Sequence, residues 1–276
     1  MDESRKLISM AEERLRQCEE QYMVTCTGFL DPAQQSDLRV HFRFGRGNAK
    51  QVGDTMLLLA GGYPDAERAV FFCLPSYVWE NALPEEAAGE VLPEEAAELL
   101  SVLHVTHSTR AQSGRSGRAL RHGDYLGALT GLGLGREVLG DILVREDGAD
   151  ILVLTRIADY LERNFTQAGR ASLQCEVRPL GELALPERKV TEIHDSVASL
   201  RLDNLVAAAF RLSRGDAQEL IAAGQVYVDH RAAQKADQTV EEGALINVRH
   251  RGRAELAEAG GETKKGRIRV RILRAE

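Results

Sequence analysis

The chain is short of the residues that mark a metal framework, a membrane span or an aromatic stacking surface. Its 276 residues hold four cysteines, one tryptophan and 5% aromatics. Cys18, Cys26, Cys73 and Cys175 form no C-x-x-C pair and have no histidine cluster beside them. That spacing argues against structural zinc and against a disulfide framework, and favours reduced, buried thiols. Neither a metal ion nor a cofactor is expected. No apolar run approaches the roughly 20 residues that a bilayer-crossing helix needs. The first stretch, MDESRKLISMAEERLRQ, is charged throughout and lacks the apolar segment of a secretory leader. The expectation is a cytoplasmic protein with no membrane contact.

What is present is ordinary globular material with an uneven charge. Hydrophobic residues make up 43% and charged residues 28%, enough for packed cores in more than one domain. The net charge of −7 taken alone argues against nucleic acid. However, residues 201–276 contain 14 Lys and Arg against 11 Asp and Glu, a net of +3, so the first 200 residues carry −10. Nine basic residues and three acidic ones lie between Arg249 and Arg274. A basic end on an acidic body suggests one surface made for an anionic partner.

The patterning predicts an α+β protein of three parts. Residues 1–78 read as an N-terminal α+β domain, with helices over 1–23 and from Asp31-Pro32 onward. Two short buried strands follow, TMLLLA (55–60) and AVFFCLP (69–75). Residues 79–182 read as a ferredoxin-like, RNA-recognition-like βαββαβ domain with an acidic, alanine-rich linker at its start. Its strands are LLSVLHVTH, 141–144, 149–155 and 171–178, with helices over 124–132 and 157–168. Residues 178–195 read as a connection. Residues 183–276 form the third part, a helix–turn–helix–strand module (S4-type, on the resemblance given below) with a basic C-terminal hairpin.

That module is the strongest functional signal. In SLRLDNLVAAAFRLSRGDAQELIAAGQVYVDH (199–230), Leu202, Leu205, Val206, Ala209 and Phe210 lie on one helical face. Ser213 suits an N-cap with Asp216 in the first turn, and Gly224 suits a left-handed helix end. Arg201, Arg211, Ser213, Arg214, Arg231, Lys235, Arg249, Arg251, Arg253, Lys264, Lys265 and Arg267 are candidate RNA contacts, because guanidinium forks pair with phosphate bidentately. The alternative is a solvated charged surface, which the clustering disfavours. GRIRVRILR alternates Ile or Val with Arg, half core and half cationic surface, and is expected to extend the basic face. Arg115, Arg118 and Arg121, in a Ser/Gly/Arg-rich loop, are a possible second RNA contact; an exposed loop with no role is the equal alternative.

Other motifs carry less. Gly131, Gly133 and Gly135 follow a helix pattern rather than a strand, so they read as a helix stop and not as a cofactor loop. Asp124 and Asp141 lack a nucleophile and base beside them; they read as an N-cap partner and as a turn cap or partner of Arg136. His104 and His107 are three apart in a strand, face opposite ways and do not suit a shared metal.

Residues 199–248 resemble an S4-type RNA-binding domain, carried by SLRLDNLVAAAF, LSR, LIAAGQVYVD and the following EEGALINVRHRGR. With GGYPDAER (61–68), HGDYLGALTGLGLGREVLGDILV (122–144) and GETKKGRIRV (261–270) in that order, nearly the whole chain resembles the bacterial YlmH family. HGD at 122–124 departs from a more usual His-Arg-Asp, and Arg121 stands beside it. The resemblance implies a non-enzymatic RNA-binding protein on the large ribosomal subunit, contacting ribosomal RNA and tRNA; a monomer is expected. It further implies support of alanine-tail elongation in ribosome-associated quality control, beside other quality-control factors, with Arg201, Ser213 and Arg214 facing RNA. The competing class is an RNA-modifying enzyme, a pseudouridine synthase or methyltransferase, using the S4-type domain as an anchor. Arg201-Leu202-Asp203 shares letters with a synthase motif but is followed by NLVAAA. A third reading is a scaffold whose acidic body binds a basic ribosomal protein.

Overall fold

The computed structural model describes residues 3–45, 47–64, 66–80, 92–107, 120–185, 190–229, 231–249, 251–263 and 266–275. Two compact units are present, Met1–Pro186 and Glu187–Glu276.

The first unit begins with α1 (Glu3–Gln21), β1 (Thr25–Leu30), α2 (Pro32–His41), β2 (Ala49–Val52), β3 (Thr55–Ala60) and β4 (Ala69–Pro75). Asp31 caps α2, accepting from the Gln34 N–H at 2.9 Å, and Pro32 takes the first-turn position where its missing N–H costs nothing. The four strands form an antiparallel sheet in the order β1-β4-β3-β2. Every residue of β4 is buried. Strand alternation explains how: Ala69, Phe71 and Cys73 join one core with Leu7, Ala11 and Leu38 of the helices, while Val70, Phe72 and Leu74 join another.

That other core belongs to the following segment. After the short helices α3 (Ser76–Trp79) and α4 (Glu94–Ala97) come β5 (Leu100–His107), α5 (His122–Gly131), β6 (Leu139–Val144) and β7 (Gly148–Leu154). Then follow α6 (Thr155–Asn164), β8 (Gln167–Ala168) and β9 (Ala171–Pro179). The sheet order β6-β7-β5-β9-β8, antiparallel throughout, is the ferredoxin-like arrangement with the first strand between the third and last. Leu100, Leu103, Leu139 and Leu152 of this segment share a cluster with Phe29, Leu58 and Phe72. The portions on either side of residue 78 therefore meet in one core, and the first sheet is the middle layer.

A polar seam fixes that contact. The Asp141 carboxylate accepts from the Tyr63 hydroxyl at 2.6 Å, the Glu67 N–H at 2.7 Å and the Arg68 N–H at 3.0 Å. Arg68, 8% exposed, donates from Nε to the Leu139 carbonyl at 2.8 Å, and from one Nη to the carbonyls of Phe29 and Arg136 at 2.9 and 3.0 Å. A Cβ on Gly61 would stand 2.2 Å from the Arg68 carbonyl oxygen, so only glycine lets the loop fold back so closely. GGYPDAER and GREVLGDI, some seventy residues apart, are thus the two halves of one joint. The expected turn-cap or Arg136 pairing of Asp141 gives way to this arrangement.

The second unit contains β10 (Val190–Val197), α7 (Leu202–Phe210), α8 (Arg214–Ala222), β11 (Val226–Val228), β12 (Arg231–Ala232), β13 (Leu245–Val248), β14 (Gly252–Glu262) and β15 (Ile268–Ala275). One sheet runs β10-β15-β14-β13-β11-β12. Leu202, Leu205, Val206, Ala209 and Phe210 of α7 bury against Val226, Ile246, Val248, Val270 and Ile272. Gly224 ends α8 at φ +67°, as its position suggested. The stretch read as a connection up to Asp195 is instead strand β10, paired antiparallel with β15 from Val190↔Ala275 to Val197↔Ile268.

Candidate nucleic-acid interface

The starts of α7 and α8 converge on one buried carboxylate. Arg201 is the N-cap residue of α7 and Arg214 the first residue of α8. Between them lies Asp203, 0% exposed. Arg201 donates from Nε to one Asp203 oxygen at 3.2 Å and from Nη to the other at 3.1 Å. That second oxygen also accepts from Arg214 Nε at 3.0 Å and Gln218 Nε2 at 2.8 Å. Burial alone would raise the Asp203 pKa; the donors from Arg201, Gln218 and Arg214 outweigh it and hold the group well below the usual carboxylate range. The side chains of Arg201 and Arg214 remain 36% and 55% exposed. Asp203 and Gln218 were absent from the sequence-derived set. The available signal was the polar pair Asp203-Asn204 inside the otherwise apolar LDNLVAAAF.

Ser213 forms the expected N-cap as a reciprocal box. Its hydroxyl oxygen accepts from the Asp216 N–H at 3.1 Å, and the Asp216 carboxylate accepts from the Ser213 N–H at 3.3 Å. The helix end thus carries its own anion. Arg211 adopts the left-handed conformation that closes α7 (φ 53°, ψ 47°) and is exposed. The backbone N–H groups of Leu202 and Asp203 bond the Gln238 and Ala236 carbonyls, which brings the turn following exposed Lys235 to the start of α7.

The remaining candidates do not form one patch. Arg249 and Arg251 are exposed in the turn between β13 and β14. Arg253 is half-buried; burial pushes its guanidinium down to about 10, still charged at neutral pH. Arg267 lies at the opposite end of β14, where its Nε donates to the Ser196 carbonyl at 3.0 Å. The 11 residues of β14 separate these two groups by roughly 30 Å at about 3.3 Å per residue. Arg231 is exposed in β12. Lys264 and Lys265 lie outside the described residues. The expected alternation of β15 holds, with Val270 and Ile272 buried and Arg269 exposed. Arg271 is committed to Glu192 and Glu258, which interrupts the basic stripe.

In the first unit, Arg115 and Arg118 lie outside the described residues. Arg121 is exposed at the start of α5, where its N–H donates to the Asp124 carboxylate at 2.8 Å. Asp124 is thus the N-cap partner anticipated, and Asp141 is spent in the seam. His104 pairs with buried Asp150 at 2.7 Å, and Asp150 also holds Arg145. The first and third strands of this sheet, β5 and β7, carry no Phe, Tyr or Trp.

Two helices joined by a short turn and packed against a sheet in the second unit are the frame of an S4 domain, which places this protein in the RNA-binding class. The S4 domain profile matches residues 200–246, and a profile described as a putative RNA-binding domain in YlmH matches residues 115–182. A Bacillus subtilis (strain 168) protein named "Ribosome-associated protein quality control protein P2" is 33% identical over 272 residues, covering 99% of this chain and 95% of that protein. A solved structure described as "Cell division protein ylmH from Streptococcus pneumoniae" aligns over 66% of this chain and 94% of its own, at 21% identity and a TM-score of 0.45. The chain belongs to the YlmH family. No helix among the described residues is long and apolar enough to cross a membrane.

Proposed function

We propose that this protein is a non-enzymatic, cytoplasmic RNA-binding factor of the large ribosomal subunit. It contacts ribosomal RNA and tRNA there and assists nascent-chain tailing in ribosome-associated quality control. The observation that carries this reading is the end-to-end similarity to a relative whose name states ribosome-associated quality control. The exposed arginines gathered on Asp203 in the second unit support it. In this reading the second unit grips the RNA backbone, while the first unit supplies a rigid acidic body with Arg121 as its contact.

Sedimentation of the tagged protein through a density gradient, followed by sequencing of crosslinked RNA, tests the proposal. Co-migration with large subunits and crosslinks to both ribosomal RNA and tRNA are expected. Migration as free protein, without crosslinks, sinks the reading. Mapping modified nucleotides in cells with and without the gene tests the enzyme alternative. The loss of one defined modification would favour catalysis.

A further inference from the structure

We propose that a cavity in the first unit, between α1 and the start of α6, binds a small amphipathic carboxylic acid. The site is independent of the RNA-binding reading. β1 is the outermost strand of the first sheet, and a cavity of about 400 Å³ lies along it. Leu7 and Met10 of α1, Phe29 and Leu30 of β1, and Leu99 and Leu154 of the central segment make its mainly apolar walls. That size falls at the lower end of ligand cavities, which run from roughly 300 to 1,000 Å³.

Three cations line the same cavity. Lys6, Met10 and Arg14 recur at a spacing of four and so share one side of α1. Arg156 stands in the first turn of α6. Among the described residues none of the three cations pairs with a carboxylate; Arg14 donates from one Nη to the neutral Gln17 amide at 2.7 Å. Burial raises the pKa of the Cys26 thiol, while Arg14 and Arg156 pull it the other way. Both guanidinium groups therefore lie within electrostatic reach of one point on the cavity wall. α6 opens without a side-chain cap and without an acidic residue in its first turn. A ligand carboxylate at the mouth would meet both arginines and supply the anion that this helix end lacks. Of the two carboxylates in the lining, Glu3 is exposed at the beginning of α1. Glu137 rests over Gly135, where a Cβ would stand 2.2 Å from its oxygens. The lining thus carries Lys6, Arg14 and Arg156 against Glu3 and Glu137, an excess that one carboxylate balances. The apolar walls disfavour a nucleobase, whose edge groups would lose water without replacement. The bulge of β1 between Cys26 and Phe29 breaks the edge that an added peptide strand would need.

The test uses the full chain, its methionine methyl groups isotopically labelled for NMR, titrated with octanoate. The Met10 methyl signal should shift and saturate. Acetate, which lacks the apolar body, and octylammonium, which reverses the charge, should leave that signal in place at equal concentration. Arg14→Gln with Arg156→Gln should weaken octanoate binding about tenfold, while octyl alcohol, which carries no charge, binds as it does to the wild type. Arg156→Glu, at an exposed position, should abolish octanoate binding and decides the matter if the double variant does not fold. Wild-type affinity for octanoate in either folded variant overturns the proposal. So does a Met10 signal that ignores octanoate or is moved equally by octylammonium. Adenosine monophosphate tests the nucleotide alternative: displacement of octanoate at equal or lower concentration would give the cavity to RNA and sink the proposal, whereas no displacement supports it.

Discussion

Arg68 of the first unit and the Arg201–Arg214 pair of the second use the guanidinium in opposite ways. In the first, Arg68 is buried and spends its guanidinium on three backbone carbonyls, and Arg39, 1% exposed, is held by the Gly47 carbonyl and Asn48. In the second, the carboxylate is buried and the arginines reach into water. The difference lies in which group has lost its solvent, the guanidinium in the one case and the carboxylate in the other. A buried guanidinium ties backbone segments together, whereas an exposed one held on a buried acid is presented to a partner.

The sharpest way to break this contrast is Arg68→Met. Three carbonyls would lose their donor at once, and the first unit should lose roughly 3–5 kcal/mol in urea denaturation with RNA affinity unchanged. A loss below about 1 kcal/mol would mean that the seam is not where the unit is held. Asp141→Asn should cost less, roughly 1–3 kcal/mol: its single amide oxygen can keep the Tyr63 and Glu67 donors, whereas its NH2 is set against the Arg68 N–H. Acid titration probes the second unit. Asp203 is depressed in the folded state, so its stabilisation is present above the ordinary carboxylate value of about 4 and drains away as pH falls below it. A plot of urea midpoint against pH should show that loss in the wild type and lack it in Asp203→Asn. Arg249→Ala with Arg251→Ala should leave stability within about 0.5 kcal/mol and flatten the salt slope of RNA binding by up to about two. An unchanged slope would remove the β13–β14 turn from the interface. The smallest effect is expected at Tyr125, whose buried hydroxyl has no hydrogen-bond partner among the described residues. Tyr125→Phe should be neutral or stabilising by up to about 1 kcal/mol in a thermal melt.

Local signals were legible and distant ones were not. TMLLLA and AVFFCLP announced strands because both faces are buried and no polar position interrupts them. The Ser213–Asp216 box and Gly224 declared the ends of α8. By contrast, VTEIHDSV looks like a polar connection, and only pairing with β15, some eighty residues on, makes it a strand. Asp141 was visible as a carboxylate, but its donors lie more than seventy residues earlier. Arg201 and Arg214 stood out as cations; the packing of α7 on α8 was needed to find what holds them. The contiguous basic face failed for a geometric reason: a long strand separates its two turns, and Glu192 and Glu258 occupy Arg271 between them.

The place of β15 has a consequence in time. It is an interior strand, between β10 and β14, yet it is formed from residues 268–275. During synthesis the first unit has all its parts once residue 186 has emerged. The second has a gap in the middle of its sheet until β15 leaves the exit tunnel, with β10 waiting unpaired in the meantime. The second unit is thus withheld from the growing chain until residues 268–275 have been made.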